Sequence, residues 1–196
     1  MMTNFNILLA ETKSMRILGI DPGTNNLGYA VIEIRKKRIH LLVHGVFKLS
    51  RLSSHQDKLH QIFLKIQRII DSYQPNEMAI EAPFYGKNVQ SMLKLGRAQG
   101  VAIAAALDKE LDVKEYSPKK IKLAVTGNGN ASKEQVAALV DQLIVDKIDR
   151  ELLDATDALA TAICHHFQKK SPLGSSAGSA RDWKSFLKEN PDRLAR

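Results

Sequence analysis

Two aspartates three residues apart, Asp154 and Asp157, are residues whose carboxylates could act together in a chemical reaction. Residues at this spacing share one face of a helix, and we predict a helix from about Glu151 to Gln168. The residues around the pair are almost all apolar, so we expect this helix to be largely buried. Two buried carboxylates repel each other and lose hydration unless a cation joins them. We therefore favour a divalent metal site over simple compensation of the helix dipole.

Two more acids stand where short apolar runs end. Asp21 follows the run Ile17–Ile20, and Glu81 follows Met78–Ile80. Apolar runs of this length are typical of strands buried on both faces, and a carboxylate at the end of such a strand needs a compensating partner. For Asp21, which precedes Pro-Gly, capping of its own turn is the alternative. Together the four acids could hold two divalent ions about 3.5–4 Å apart, which suits phosphodiester hydrolysis.

The remaining pattern predicts the elements that must position these acids. We predict strands at 27–34, 39–48 and 113–116, and helices at 57–71, 89–111 and 133–143, with another starting at Pro118. Asn88 and Ser132 are expected N-caps. Gly96, Gly100 and Ala104 fall four apart on one helix, which predicts a close helix contact, either in the core, which we slightly favour, or at a dimer interface.

Length and composition limit the class of protein. The 196 residues suffice for one domain with a tail, and no apolar run approaches the roughly 20 residues that a membrane span needs. The N-terminal apolar patch lacks the basic flank of a secretory signal. Cys164, the single cysteine, excludes an internal disulfide and is expected to be a packed core thiol in a cytoplasmic protein.

The charge balance favours a polyanionic partner. The chain carries 29 basic and 21 acidic residues, a net charge of +8, and residues 169–196 contribute a net +4. That basic end is interpreted either as a solvated tail or as an arm for nucleic acid. The basic run Arg35–Arg38 is interpreted as a solvated turn between two strands. We expect an N-terminal extension at 1–14, a globular domain at 15–170, and a flexible linker and basic tail at 171–196.

Taken in order, these segments resemble the RuvC family of Holliday junction resolvases. The likeness runs over most of residues 16–168. It is carried by Ile17–Thr24, Ala79–Glu81 followed by Phe84, Lys87-Asn88, Leu93–Gly100, Tyr116, Lys122, the loop from Gly127 to Lys133, and Asp154–Ala160. Each motif alone is weak, whereas four acids in this order with the Leu-Lys-Leu-Gly helix between them are specific.

The resemblance implies an α/β fold of the ribonuclease H-like class, with a five-stranded mixed sheet flanked by helices. It implies a magnesium-dependent endonuclease, with two ions per site and Mn²⁺ able to substitute, that makes paired nicks in four-way junctions during DNA recombination and repair. Asp21, Glu81, Asp154 and Asp157 match the family's catalytic and metal-binding acids. Phe84, Lys87, Arg97, Lys122 and Lys133 would contact DNA, Phe84 by stacking on a base near the crossover. The resemblance also implies a homodimer and a junction-migration helicase partner of the RuvA/RuvB kind.

Three alternative interpretations compete with this one. An ATP-binding protein of the actin-like group shares the Asp-x-Gly-Thr hairpin but needs a second such hairpin and a far longer chain. A non-catalytic DNA- or junction-binding protein would use the basic surface and leave the four acids unexplained. Another ribonuclease H-like nuclease would share the acids, though the Asp154-x-x-Asp157 helix and the Leu93–Gly100 segment resemble the resolvases.

Overall fold

One mixed sheet of five strands forms the centre of the molecule. The structure, a computed structural model, describes residues 14–83, 88–146 and 153–170. The strands are β1 (Met15–Asp21), β2 (Asn26–Arg35), β3 (Arg38–Lys48), β4 (Glu77–Glu81) and β5 (Asp112–Tyr116). Their order is β3-β2-β1-β4-β5. The first three strands are antiparallel, and β4 and β5 run parallel to β1, so the sheet is mixed as the resemblance implied.

Five helices are described, and two of them start at the predicted caps. They are α1 (His55–Tyr73), α2 (Val89–Leu107), α3 (Pro118–Thr126), α4 (Lys133–Leu143) and α5 (Leu153–Lys170). The side chains of Asn88 and Ser132 accept hydrogen bonds from the backbone amides of Ser91 and Gln135. Both predicted N-caps are therefore confirmed.

The helices cover both faces of the sheet, because successive side chains of a strand point in opposite directions. Ile17 of β1 belongs to the core with α3, α4 and α5, whereas Leu18 and Ile20 belong to the core with α1 and α2. All three are fully buried. The acid-bearing ends of β1 and β4 thus emerge between two packed layers, which hold their side chains in place.

The structure corrects two expectations about α2. The helix ends at Leu107, not Leu111, because the chain turns at Glu110, whose φ is 56°, and returns Leu111 to the core. The favoured core position of the small-residue stripe is also wrong. A Cβ atom on Gly96 or Gly100 would meet nothing within 4 Å, and Ala104 is exposed. Four alanines on the other side of the helix pack against the core instead, namely Ala98, Ala102, Ala105 and Ala106.

Residues 1–13 and 171–196 lie outside the described residues, and with them most of the predicted extension and all of the predicted tail. Among the described helices, none is both long enough and apolar enough to cross a membrane.

Candidate metal centre and its basic surroundings

Three of the four predicted acids meet at one edge of the sheet. Asp21 is the last residue of β1, and Asp154 and Asp157 lie in the first turns of α5. One carboxylate oxygen from each lies within 4.8 Å of those of the other two. All three side chains are half-buried, so this group can be reached from solvent.

Two glycines let α5 come close enough to bring these acids together. Gly28 of β2 pairs directly with Asp21, and a Cβ atom at Gly28 would overlap the carbonyl oxygen of Asp154. A Cβ atom at Gly19 would likewise overlap the carbonyl oxygen of Ala158. Neither contact was predicted from the sequence, although an isolated glycine inside a strand often marks such a close approach.

The charges at the site favour a bound cation. Burial, followed by the charges of Glu81, Asp157 and Asp154, raises the pKa of Asp21 to about 8, against the opposing charge of Lys133. Burial and the neighbouring carboxylates disfavour the ionised form of Asp21, and a bound cation would stabilise that form. The available ligands are carboxylate oxygens, which hard cations such as Mg²⁺, Mn²⁺ and Ca²⁺ prefer. The residues therefore fit a divalent metal centre.

Glu81 stands slightly apart from the other three acids. It ends β4 as predicted, but it is not part of the group whose oxygens lie within 4.8 Å of one another. Burial and the charge of Asp157 raise its pKa to about 7, while Lys133 and Lys122 lower it. The charge of Glu81 thus interacts electrostatically with the other charges of the site, although Glu81 does not belong to the tightest cluster.

Lys133 reaches the acids directly. Its Nζ atom donates a hydrogen bond to Oδ2 of Asp157 over 2.8 Å, and this bond raises the pKa of the lysine. The position is fixed by the start of α4, where Ser132 and Gln135 form a capping box. Lys122, on α3, lies close enough to act on the Glu81 charge. Two predicted DNA-contacting lysines therefore lie beside the acids.

Arg97 lies on the other side of the same edge. It is exposed on α2. Burial of the imidazole lowers the pKa of His55, and the charges of Arg97, Lys94 and Lys58 lower it further. Lys58 also donates to Oδ1 of Asn25, in the turn after Asp21, over 3.0 Å. Lys58 and Lys94 were not predicted, because nothing in their spacing sets them apart from other surface lysines.

Phe84 and Lys87, the other two predicted DNA contacts, lie outside the described residues.

A chain of polar contacts runs from Tyr116, at the end of β5, to Glu77, at the start of β4. His165 of α5 bonds Tyr116 through Nδ1 over 2.7 Å and Glu77 through Nε2 over 2.5 Å. Nζ of Lys169 contacts the other oxygen of Glu77 over 2.5 Å. Burial opposes ionisation of Glu77, but the bonds from Lys169 and His165 hold its pKa below the usual value. This chain ties α5 to the two strands β4 and β5.

Cys164 is fully buried, and burial raises the pKa of its thiol to about 11. The prediction of a packed core thiol is confirmed.

Comparison with known proteins agrees with this site. The model of the family "Crossover junction endodeoxyribonuclease RuvC" matches residues 17–165, which include all four acids. The chain belongs to the RuvC family. A RuvC crossover junction endodeoxyribonuclease of Cytophaga hutchinsonii is 55% identical over 91% of this chain and 87% of its own. Its counterpart in Porphyromonas gingivalis is 49% identical over 93% of this chain and 98% of its own.

The structure of Thermus thermophilus RuvC in complex with a Holliday junction substrate is also similar. It aligns with a TM-score of 0.74 at 29% identity and covers 80% of this chain and 95% of that one. The resemblance to RuvC and the expected ribonuclease H-like fold class are both confirmed. Membership of this family rejects the actin-like ATP-binding alternative.

Proposed function

We propose that this RuvC-family chain is an endonuclease that resolves Holliday junctions by paired, symmetric nicking of opposed strands. The observation that carries the proposal is the convergence of Asp21, Asp154 and Asp157, with carboxylate oxygens within 4.8 Å of one another beside Lys133. A purely DNA-binding protein would gain nothing from repelling carboxylates in a basic surface, whereas phosphodiester hydrolysis needs them.

Asp21, Asp154 and Asp157, with Glu81 beside them, would hold the divalent ions, and we propose Mg²⁺, two per site, with Mn²⁺ as a substitute. Bound there, the ions would lower the pKa of the attacking water and neutralise charge on the departing 3′ oxygen. The chain's own contribution is to hold four carboxylates on rigid elements. The raised pKa values of Asp21 and Glu81 mean that ionisation of these groups is coupled to cation binding.

The basic residues around the acids would hold the DNA backbone. Lys133 and Lys122 flank the carboxylates on one side, and Arg97, with Lys58 and Lys94, extends the positive surface on the other. Such contacts fix the position of the backbone but carry no sequence information. From the family resemblance, we propose that Lys87 adds a backbone contact and that Phe84 stacks on a base near the crossover.

We propose that the enzyme acts as a homodimer, because two equivalent strands must be cut. The supporting feature is the outer face of α2. It combines the open surface over Gly96 and Gly100 with three exposed apolar residues, Val89, Leu93 and Leu107, which are 59%, 49% and 57% exposed. With the exposed Ala104 they recur every three or four positions, so they form one stripe along the helix. A second copy packing there would bury the stripe and relate two sites by a two-fold axis.

We further propose, from the family resemblance, that the dimer works in the cytoplasm with a junction-migration helicase complex of the RuvA/RuvB kind. We also propose residues 15–170 as the nuclease domain, with 1–14 as an extension and 171–196 as a linker and basic tail.

The test is cleavage of a labelled synthetic four-way junction with Mg²⁺, using wild type and Asp21→Asn, with linear duplex and RNA–DNA hybrid as controls. We expect paired nicks near the crossover in the wild type. The variant should bind the junction but not cut it. Binding without cleavage in Mg²⁺ or Mn²⁺ would leave a junction-binding protein, and cleavage of the hybrid alone would indicate a ribonuclease H.

A further inference from the structure

The turn between β2 and β3 is built from residues that a tight turn disfavours. Arg35 and Arg38 pair across the hairpin, so Lys36 and Lys37 form a two-residue loop. Their φ values are 47° and 67°. Positive φ at both loop positions defines a type I′ turn. Asn and Gly are preferred in such turns, because other side chains crowd the backbone in this conformation. Two lysines therefore occupy this turn at a cost in stability.

The same turn concentrates positive charge. Arg35, Lys36, Lys37 and Arg38 are all exposed, and a concavity of about 530 Å³ is lined by Arg35, Lys36, Arg38 and His40. We refer to residues 35–38 together with His40 as the hairpin tip.

Two carboxylates lie near the hairpin tip, and both are already engaged. Glu33 is 1% exposed and bonds Nε of Arg16 over 3.1 Å, with Arg35 on its other oxygen. Asp146 accepts a hydrogen bond from the backbone amide of Leu41 over 2.9 Å and lies 3.7 Å from Nδ1 of His40. Among the described residues, Lys36, Lys37 and Arg38 have no ion-pair partner. Within the described ranges, the tip therefore keeps positive charge that no carboxylate pairs with.

The hairpin tip lies at the end of the sheet opposite the acids. Asp21 pairs with Gly28 at one end of the β1–β2 ladder, and Met15 pairs with Ile34 at the other, next to Arg35. Six residue steps at about 3.3 Å separate these ends by about 20 Å. A backbone segment held at the acids cannot also occupy the tip, so the tip is a separate surface.

We propose that the hairpin tip is a second binding site for the phosphate backbone of duplex DNA, distinct from the surface around the acids. Phosphates are bound by arginine and lysine without need of apolar contacts. A protein partner fits less well, because lysine is depleted and aromatic residues are enriched in the centres of protein interfaces, and residues 35–38 include no apolar or aromatic side chain. Phosphate binding also gives a reason for keeping lysines where Asn-Gly would be more stable.

The proposal rests on the proposed function only in taking DNA as the ligand. The duplex could be an arm of the junction held at the acids or a second DNA molecule, and the experiment separates these sources. Binding is measured in EDTA, so that it does not depend on cleavage.

The decisive variant is the double substitution Lys36→Asn with Lys37→Gly in the full chain. It removes two charges and supplies the favoured turn sequence, so we expect the melting temperature to rise by about 2–4 °C. Affinity for a long-armed junction should fall roughly 10-fold or more at moderate salt, and the slope of log K against log salt should shrink by about 1–2. A variant that is more stable and yet binds less tightly cannot be explained by unfolding.

Two comparisons complete the test. Lys36→Gln with Lys37→Gln removes the charges without the favoured turn, and should weaken binding equally without raising the melting temperature. Arg68→Gln with Lys114→Gln removes two exposed charges elsewhere and should leave affinity nearly unchanged. If that control loses as much affinity as the tip variants, or if the tip variants lose none, the proposal is wrong.

Junctions with short arms and mixtures of two labelled duplexes identify the source of the DNA. A loss confined to long-armed junctions assigns the tip to an arm of the bound junction. A loss of bridging between two separate duplexes assigns it to a second molecule. Failure of the proposed function would appear as absent cleavage in Mg²⁺ and would leave these binding results unaffected.

Discussion

Nζ of Lys133 lies 2.8 Å from Oδ2 of Asp157, so a lysine at the start of α4 bonds one of the three clustered carboxylates at the start of α5. The lysine side chain is 59% exposed, whereas that of Asp157 is 21% exposed. The ammonium group can therefore contact the acid and a phosphate that approaches from solvent.

Removing this ammonium group should impair cleavage more than folding. We expect Lys133→Ala to lower the single-turnover cleavage rate about 10²-fold, because the positive charge next to the reacting phosphate is lost. Lys133→Arg should retain most of the rate, since it keeps the charge. The melting temperature should change little, because a half-exposed ion pair contributes at most about 1 kcal/mol. A cleavage rate unchanged in Lys133→Ala would exclude the lysine from the reaction.

The raised pKa of Asp21 predicts a stability that depends on pH in the absence of divalent ions. Its pKa is about 8 in the folded chain and 3.8 ordinarily, so the folded state retains a proton that the unfolded state has lost between those values. This contribution to the free energy of unfolding is therefore largest in acid and is lost as pH rises through about 8. Asp21→Asn has no such proton, so its stability relative to wild type should increase with pH in urea titrations.

Divalent ions should reverse this trend in the wild type. They bind the ionised carboxylates, so Mg²⁺ should stabilise the wild type more at about pH 9 than at about pH 6. At about 100 times the dissociation constant, the gain is about 2.7 kcal/mol. In Asp21→Asn the gain should be smaller and should depend less on pH, because only Glu81, with a pKa of about 7, still titrates between these two pH values. Equal stabilisation of both proteins at both pH values would place the ions elsewhere.

The close approach of α5 to the sheet predicts that one methyl group at Gly28 will damage the metal centre. We expect Gly28→Ala to push Asp154 away from Asp21, to destabilise the fold by about 1–3 kcal/mol, and to weaken stabilisation by Mg²⁺. Gly45→Ala is the matched control in the same sheet, because the atoms nearest its added Cβ belong to the ring end of Tyr29, with the hydroxyl oxygen at 2.7 Å. It should leave stabilisation by Mg²⁺ unchanged. Wild-type metal affinity in Gly28→Ala would refute this account.

The exposed stripe on α2 predicts where the proposed dimer can be broken. Leu93→Glu places a charge within this stripe, and we expect the dimer to dissociate at micromolar concentration with the monomer still folded. Val145→Glu is the control, since Val145 is similarly exposed, at 53% against 49% for Leu93, but lies off the stripe. Molar mass from sedimentation equilibrium gives the answer. A dimer that survives Leu93→Glu would move the interface away from α2.

Local patterns in the sequence were enough to predict the main helices and strands and to single out the candidate acidic residues. The apolar runs before Asp21 and Glu81 form β1 and β4, and the acids end those strands as predicted. The Asp154-x-x-Asp157 spacing placed two carboxylates on one face of a buried helix, as found. These features depend on neighbours a few residues away, which the sequence displays directly.

The remaining features depend on how distant segments pack. Only the tertiary structure showed that α5 lies against Gly19 and Gly28, that Lys133 reaches Asp157, and that Glu81 stands apart from the tightest cluster. The structure also showed that the glycines of α2 face away from the core, whereas the sequence had favoured a contact inside the core. Hydrophobic periodicity identifies which face of an element is buried, but a stripe of small residues fits either a core or an external contact. The sequence by itself therefore determined which residues could do chemistry, and the packing of α5 across β1 and β2 decided which of them lie together.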